Sequence, residues 1–308
     1  MSELVAILLA TYNGARFLED QLNSIANQTY KNWILFASDD GSQDETVSIL
    51  NRYRSRWGDN KLVIKHGPEK GFAINFVTLL CSEDIHADFY AFADQDDVWH
   101  ADKLHRALNT LKSVPQGVPA LYGGRTLTLD ERNEIVGSSP LFTKAPSFQN
   151  ALVQSIMGGN TMVLNQSLKE KLKRVDYTVA ALPSHDWWCY LVVTGLGGAC
   201  IYDPQPSVSY RQHNHNIVGS NVGFMHRLRR FRRLLDGQLK FWTDAHLALL
   251  ASLEPQLSTK NKRTLEQLKV VRYNGVGSRL MAFWKSGLHR QSLPQTCMLV
   301  FAVLTKKI

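Results

Sequence analysis

The sequence predicts an α/β protein: a mostly parallel sheet flanked by helices, with a helical extension at the C-terminal end. Three observations predict it. Apolar runs of strand length, at Val5 to Ala10, Trp33 to Ala37 and Phe89 to Ala93, are continuous, as in strands covered on both faces. Segments with apolar residues three and four apart lie between them, the period of helices packed on a sheet. Each apolar run also empties into a polar turn, at Thr11–Gly14, Asp39–Ser42 and Asp94–Asp97.

In chain order, the first strand leads through Thr11-Tyr12-Asn13-Gly14 to a helix with Phe17, Leu18, Leu22 and Ile25 on one side. The second runs into Ser38-Asp39-Asp40-Gly41-Ser42. Ser42 and Glu45 have capping-box spacing, so a helix is expected from Ser42 to about Arg56. A third strand, Leu62 to Ile64, precedes a Gly67–Gly71 loop and a helix from about Phe72 to Leu80. The strand from Phe89 then opens on Asp94-Gln95-Asp96-Asp97. In such sheets ligands bind beyond the carboxyl ends of the strands, so the three polar turns share one rim. From Ala120 the pattern changes. Leu121-Tyr122 and Thr126 to Leu129 read as two strands separated by Gly123-Gly124. Met157-Gly158-Gly159-Asn160 precedes a strand over Thr161 to Leu164, Ser184-His185-Asp186 opens an apolar helix, and Val208 to His213 is a last strand-like run. There is no internal repeat and no low-complexity segment.

A chain of 308 residues has room for one large α/β domain and an appendage, or for two modest domains. Cys81, Cys189, Cys200 and Cys297 are widely spaced, so they read as reduced thiols of a cytosolic protein, not as a disulfide frame or zinc site. Glu3 interrupts any leader-like run, and no secretory leader is expected. No apolar run approaches the ~18–20 residues of a spanning helix. Charge is uneven. Residues 1–223 carry 19 Lys+Arg and 23 Asp+Glu, a net −4, whereas residues 224–308 carry 16 and 4, a net +12. We therefore expect a body over 1–223 and a basic amphipathic helical region over 224–308, with a polyanionic partner for the latter.

Asp94, Asp96 and Asp97 put three carboxylates within four positions at a strand end. Like charges this close raise one another's pKa unless a cation sits among them. Oxygen ligands there suit a hard divalent ion, Mg²⁺ or Mn²⁺, that also holds phosphates. A lone acidic turn would read as merely solvated. Three polar strand ends on one rim favour a site.

Thr11-Tyr12-Asn13, Asp39-Asp40-Gly41-Ser42, Asp94-Gln95-Asp96-Asp97 with Trp99 and Lys103, His185-Asp186-Trp187 and Tyr210-Arg211-Gln212-His213 occur in that order. Together they resemble an inverting family 2 glycosyltransferase with the GT-A fold. The Asp-Gln-Asp-Asp-x-Trp and Tyr-Arg-Gln-His pair is similar to bacterial rhamnosyltransferases of O-antigen or cell-wall polysaccharide synthesis. The resemblance covers roughly residues 3–220.

The resemblance implies that Asp39 accepts the pyrimidine N3–H of the nucleotide; the plain alternative is a helix cap at Asp39 or Asp40. Thr11 and Asn13 would line the same pocket, and Tyr12 would either stack beside the base or simply pack. Asp94 would contact ribose or metal-bound water, Asp96 would bind Mn²⁺ or Mg²⁺ directly, and His213 would close the metal site. Asp97 either points at the sugar or caps a helix through Lys103. Arg211 is a candidate phosphate contact, or a surface cation. Asp186 is the candidate general base for inversion, its charged form favoured by the helix dipole, or an ordinary N-cap. His185 would orient acceptor or base, while Trp187 and Trp188 would wall the sugar, or be core. Gly159 and Asn160, after Gly158, would allow close backbone approach to donor or acceptor, or form a tight turn. Trp99 belongs to the same pocket, and Lys70 is a weak nucleotide contact.

Beyond Phe224, Arg227, Arg229, Arg230, Arg232 and Arg233 alternate with Leu228, Phe231, Leu234 and Leu235, and Met298 to Leu304 is a short apolar stretch before Lys306 and Lys307. A membrane-surface anchor explains the arginines, the apolar side and the missing span together. A homodimerising hairpin explains the apolar stripe alone, and a nucleic-acid patch, which we do not expect, the charge alone. The expected function is metal-dependent transfer of a sugar, L-rhamnose from dTDP-L-rhamnose, to a lipid-linked saccharide at the cytoplasmic face of the cell membrane. A UDP-sugar donor, with galactofuranose, N-acetylglucosamine or another hexose, is the alternative within the family. A phosphoryl transferase is disfavoured because no Walker-type loop is present. A non-catalytic scaffold is disfavoured because Asp96 and Asp186 are retained.

Overall fold

The computed structural model describes residues 2–213 and 237–308. Its strands are β1 (Val5–Thr11), β2 (Trp33–Asp39), β3 (Leu62–His66), β4 (Phe89–Asp94), β5 (Val98–Trp99), β6 (Ala120–Leu129), β7 (Ile135–Ser138), β8 (Val163–Asn165) and β9 (Ala199–Arg211). Helices α1 (Ala15–Ala26), α2 (Thr46–Trp57), α3 (Phe72–Cys81), α4 (Lys103–Leu111), α5 (Phe148–Ala151), α6 (Gln166–Leu172) and α7 (His185–Gly195) intervene. After the undescribed stretch come α8 (Gln238–Leu250), α9 (Thr259–Tyr273), α10 (Val276–Ser286) and α11 (Leu293–Leu304).

The described strands form one mixed sheet in the order β3-β2-β1-β4-β8-β6-β9-β5, with β7 hydrogen-bonded to β6. The half built from β3, β2, β1 and β4 is parallel. Alternation along β1 explains its continuous apolar run. Val5, Ile7 and Leu9 enter the core beneath α1, α2 and α4, while Ala6 and Leu8 enter the opposite core with α3 and α7.

Parallel registration then brings the polar ends together. Thr11 lies beside Asp39, Ala10 beside Asp94, and Asp39 beside His66.

Four local readings change. The capping box at Ser42 does not form: α2 starts at Thr46, because the Ser42 hydroxyl is used by Asp39. Gly123-Gly124 does not interrupt a strand. Both sit inside β6, where a Cβ on Gly124 would lie 2.5 Å from the Asp203 carbonyl oxygen, so glycine admits a close neighbouring strand. The strand after Asn160 is shorter, with a 3₁₀ turn over Gly159–Thr161 before β8. The last strand begins at Ala199, nine residues before Val208.

Helices α8 to α11 share the core of α3 and α7: Leu239, Leu249, Leu265, Leu268, Phe283 and Val303 all join it. Asn261 Nδ2 donates to the Thr194 and Gly195 carbonyls at 3.1 and 2.8 Å, joining α9 to the end of α7. The expected boundary at 223/224 and the arginine-rich stretch from Phe224 to Leu235 lie outside the described residues. Among the described residues, no helix is long and apolar enough to cross a membrane.

Candidate active site

The rim begins with the turn after β1. Thr11 is buried and its hydroxyl donates to Asp39 Oδ1 at 2.8 Å. Asp39 also accepts from the Ser42 hydroxyl at 2.6 Å and the Ser42 N–H at 2.8 Å. A carboxylate offers about four acceptor positions, so one remains for a further N–H donor. Asn13 takes a left-handed conformation (φ 46°), accepts from Gln43 N–H through its side chain, and donates its own N–H to the Ser42 hydroxyl. Tyr12 projects outward, 58 % exposed.

Two residues given no site role from sequence hold this rim together. Gln95 accepts from the Tyr12 N–H at 2.8 Å and donates to the Tyr12 carbonyl at 2.9 Å, extending the β1–β4 pairing with a side chain. Asp40 accepts from the Glu69 and Gly71 N–H groups at 2.7 and 2.9 Å, fixing the loop that carries the exposed Lys70. Gln95 was findable: a side-chain amide just past a strand end faces the neighbouring chain's unpaired backbone. Asp40 carried no such signal, since its partners lie about thirty positions away.

At the end of β4 the acids separate by environment. Asp94 is partly buried, and burial, then the charges of Asp96 and Asp186, push its carboxyl up to about 7. Asp96 Oδ2 lies 2.8 Å from His213 Nε2, so the two ends of the sequence motif set meet. Asp97 has no exposure. It accepts from Asn160 Nδ2 at 2.5 Å and the Arg211 N–H at 3.3 Å, and burial with the neighbouring acids raises its carboxyl well above the carboxylate range. It therefore caps no helix; α4 has Asp102 at its N-cap. Lys103 is wholly buried 3.2 Å over the Trp99 ring and donates to the Asn160 carbonyl at 2.7 Å. Burial lowers its pKa well below the lysine range, while Asp97 and Asp94 oppose that.

Arg211 is no surface cation. Its side chain is 2 % exposed and spans from Asp20 Oδ2 (2.8 Å) to the Asp96 carbonyl (3.1 Å), with Asn133 as a further acceptor and the Phe17 ring 4.4 Å away. The guanidinium thus anchors the chain on either side of Asp96 and His213. Trp99, Trp187 and Trp188 also lie in the core; Trp187 donates to the Ala151 carbonyl, and its ring meets Trp242 and His246 of α8.

Asp186 stands in the first turn of α7. Its carboxylate accepts from the Trp187 N–H at 2.6 Å, the Ser184 hydroxyl and the Gly159 N–H at 3.2 Å. Burial pushes its carboxyl up to about 6, and these backbone bonds hold it from rising further. His185 turns the other way, stacked 4.1 Å from Phe76 with Phe92 at its edge, and burial pushes it down to about 3, so it is neutral. Gly159 fits between them. A Cβ there would lie 2.4 Å from His185 Nε2.

One turn therefore touches both chemistries: Gly159 N–H binds Asp186, while Asn160 binds Asp97 and Lys103.

The family model of Glycosyl transferase family 2 matches residues 6–171. A dTDP-rhamnosyl transferase, RfbG, of Shigella flexneri is 28 % identical over 234 residues, covering 72 % of this chain and 77 % of that protein. An uncharacterized glycosyltransferase of Rickettsia typhi is 23 % identical, covering 81 % and 76 %. Among solved structures, the mannosyltransferase PcManGT of Pyrobaculum calidifontis, in complex with GDP-Man and Mn²⁺, superposes with a TM-score of 0.53 at 17 % identity, covering 100 % of this chain and 86 % of that one. S. aureus TarS 1-349 in complex with UDP-GlcNAc gives 0.54 at 13 %, covering 92 % and 90 %. At these identities the structural likeness concerns the fold.

Proposed function

Because the chain belongs to glycosyl transferase family 2, and is thus a nucleotide-sugar glycosyltransferase, we propose that it transfers L-rhamnose from dTDP-L-rhamnose with inversion to a lipid-linked saccharide, working at the cytoplasmic face of a membrane. The observation that carries the mechanism is the Gly159-Asn160 turn, which ties Asp186 to the acid-and-lysine cluster behind Asp96. The 28 % identical rhamnosyl transferase supports the choice of sugar.

In this reading Asp39 uses its remaining acceptor position for the N3–H of thymine; uracil offers the same donor. Thr11 and Ser42 hold that carboxylate in place. Asp186 takes the proton of the acceptor hydroxyl as its oxygen bonds to the anomeric carbon. The bond from that carbon to the diphosphate breaks on the opposite face, and its electron pair leaves with dTDP. A carboxyl near 6 is ionised at neutral pH yet more basic than a solvated one, which suits a general base.

The residues present fit a hard divalent ion. Asp96 and His213 converge to 2.8 Å beside Asp94, whose proton affinity is raised by burial and then by the charges of Asp96 and Asp186, and a cation would relieve the latter. Oxygen and imidazole donors suit Mn²⁺ and are compatible with Mg²⁺. Among the described residues no three potential protein ligands gather around one point, so diphosphate and water would complete the shell. Bound there, the ion would neutralise charge on the departing diphosphate. Arg211 and Asp97 keep Asp96 and His213 in register from behind.

The test is a donor screen, dTDP-L-rhamnose against UDP- and GDP-sugars with Mn²⁺ or Mg²⁺, repeated with Asp186→Ala and Asp96→Ala. Transfer undiminished in both variants removes this mechanism. Preference for a UDP-sugar removes the rhamnose assignment alone.

A further inference from the structure

The chain's last two described helices present a face that sugar transfer does not use. Helices α10 and α11 form an antiparallel hairpin closed by Arg279, whose guanidinium donates to the Val303 carbonyl at 2.6 Å and reaches the Leu304 carbonyl. Ala282 and Phe283 of α10, with Leu299, Ala302 and Val303 of α11, enter the shared core. Both helices thus bury one side in the same core and turn the other away from it. The outer side is apolar. Met281, Trp284, Leu293, Phe301 and Leu304 are exposed, Trp284 and Leu293 each by 74 %. On α11 Leu293 and Leu304 are three helical turns apart, so they fall on one side of the helix.

Charge at this face has one sign. Residues 267–308 hold seven Lys+Arg and no Asp or Glu. Arg272 and Arg279 are spent on internal partners, Asp244 and the end of α11. Lys285, beside Trp284, and Lys306, after Leu304, are exposed, and Lys307 follows. An apolar stripe flanked by lysines, with a tryptophan between, is what a helix lying in a headgroup layer presents. A second copy of the chain fits worse. A two-fold interface sets the same patch against itself, and the lysines would face lysines with no acid in residues 267–308 to pair them.

We infer that the outer face of α10 and α11 docks on an anionic lipid surface, Trp284 and Leu293 entering the headgroup boundary and Lys285, Lys306 and Lys307 meeting lipid phosphates. This rests on the reading that the acceptor is lipid-linked, and it names the surface that would bring the site to that acceptor.

The test is sedimentation of the full chain with phosphatidylcholine vesicles, with and without phosphatidylglycerol, in the absence of donor and acceptor, so that a failure here leaves the transfer reaction untouched. The full chain is expected to pellet with the anionic vesicles alone. Trp284→Glu with Leu293→Glu should abolish this, and each lysine changed to Gln should lower partitioning about fivefold. Trp284→Ser with Leu293→Ser serves if the glutamates unfold the chain, judged by thermal melting. Variants that pellet like the parent overturn the proposal. So does a parent that ignores anionic vesicles, or one that is a dimer in solution and becomes monomeric in the variants while vesicle binding persists.

Discussion

Replacing Asp186 with asparagine keeps the shape of the side chain and removes its charge, which separates what this residue does for the fold from what it does in catalysis. Burial holds the folded carboxyl near 6, against 3.8 in its ordinary state. A raised folded pKa means that the protonated form favours the fold. This group's contribution is therefore fully present below about pH 3.8, is lost as pH rises through about 6, and is level above that. Two pKa units correspond to about 3 kcal/mol of destabilisation at neutral pH. Asparagine does not carry that penalty, yet its NH₂ cannot accept from Gly159, losing about 1 kcal/mol.

Asp186→Asn should then be more stable than the parent by about 2 kcal/mol near pH 8 and slightly less stable near pH 4, the difference changing sign between about pH 4 and pH 5. Urea unfolding across that range measures it. Transfer should meanwhile fall about 10²–10⁴-fold, the usual contribution of a positioned base. A stability difference that is the same at every pH would refute the assignment of a raised pKa to Asp186. Retained transfer would refute its role as base.

Further outcomes follow from the same geometry. The acid limb of kcat/KM should have a midpoint near 6, with activity falling about tenfold per pH unit below it, since protonated Asp186 cannot accept a proton. Gly159→Ala puts a methyl 2.4 Å from His185 Nε2 and should lower stability by about 1–3 kcal/mol in thermal unfolding, reducing transfer as the turn shifts from Asp186. Lys103→Met leaves the buried Asn160 carbonyl without its 2.7 Å donor and should cost about 1–3 kcal/mol in urea unfolding. Chelation should stop transfer and added Mn²⁺ or Mg²⁺ restore it. His213→Ala should raise the metal concentration needed for half-maximal activity while leaving the fold intact in circular dichroism.

The parallel half of the fold was legible because each strand announces itself locally, as a continuous apolar run ending in a polar turn. What failed did so where distant partners override local signals. Ser42 has the spacing of a helix cap, but Asp39 competes for its hydroxyl and wins with two short bonds. β9 carries Pro204 and Pro206, which speak against a strand, yet the register slips between Gly124 and Thr126 and the prolines sit opposite that irregularity. At the site, Asp39, Asp94 and Asp96 could be placed on one rim from strand ends alone. The inward turn of Asp97 and Arg211 could not. Arg211 is fixed by Asp20 and Asn133, which are 191 and 78 positions away, and no local pattern encodes that choice.

That inward turn bears on how the reaction can be held in register. Asp96 and His213 are 117 positions apart, and Asp186 comes from a third element, so nothing local keeps the proposed metal corner and the proposed base at a fixed separation. The fold solves this with buried polar bonds whose members are costly to leave unpaired. Arg211 clamps the backbone of Asp96, Asp97 receives the Arg211 N–H and Asn160, and Gly159 meets Asp186. A carboxylate such as Asp97, with no exposure and a strongly raised pKa, would be a poor sugar contact but is a strong constraint, since moving either partner strands it. In the proposed mechanism the acids of the motif therefore divide the work: Asp96 would face the diphosphate, and Asp97 fixes where that side lies relative to Asp186.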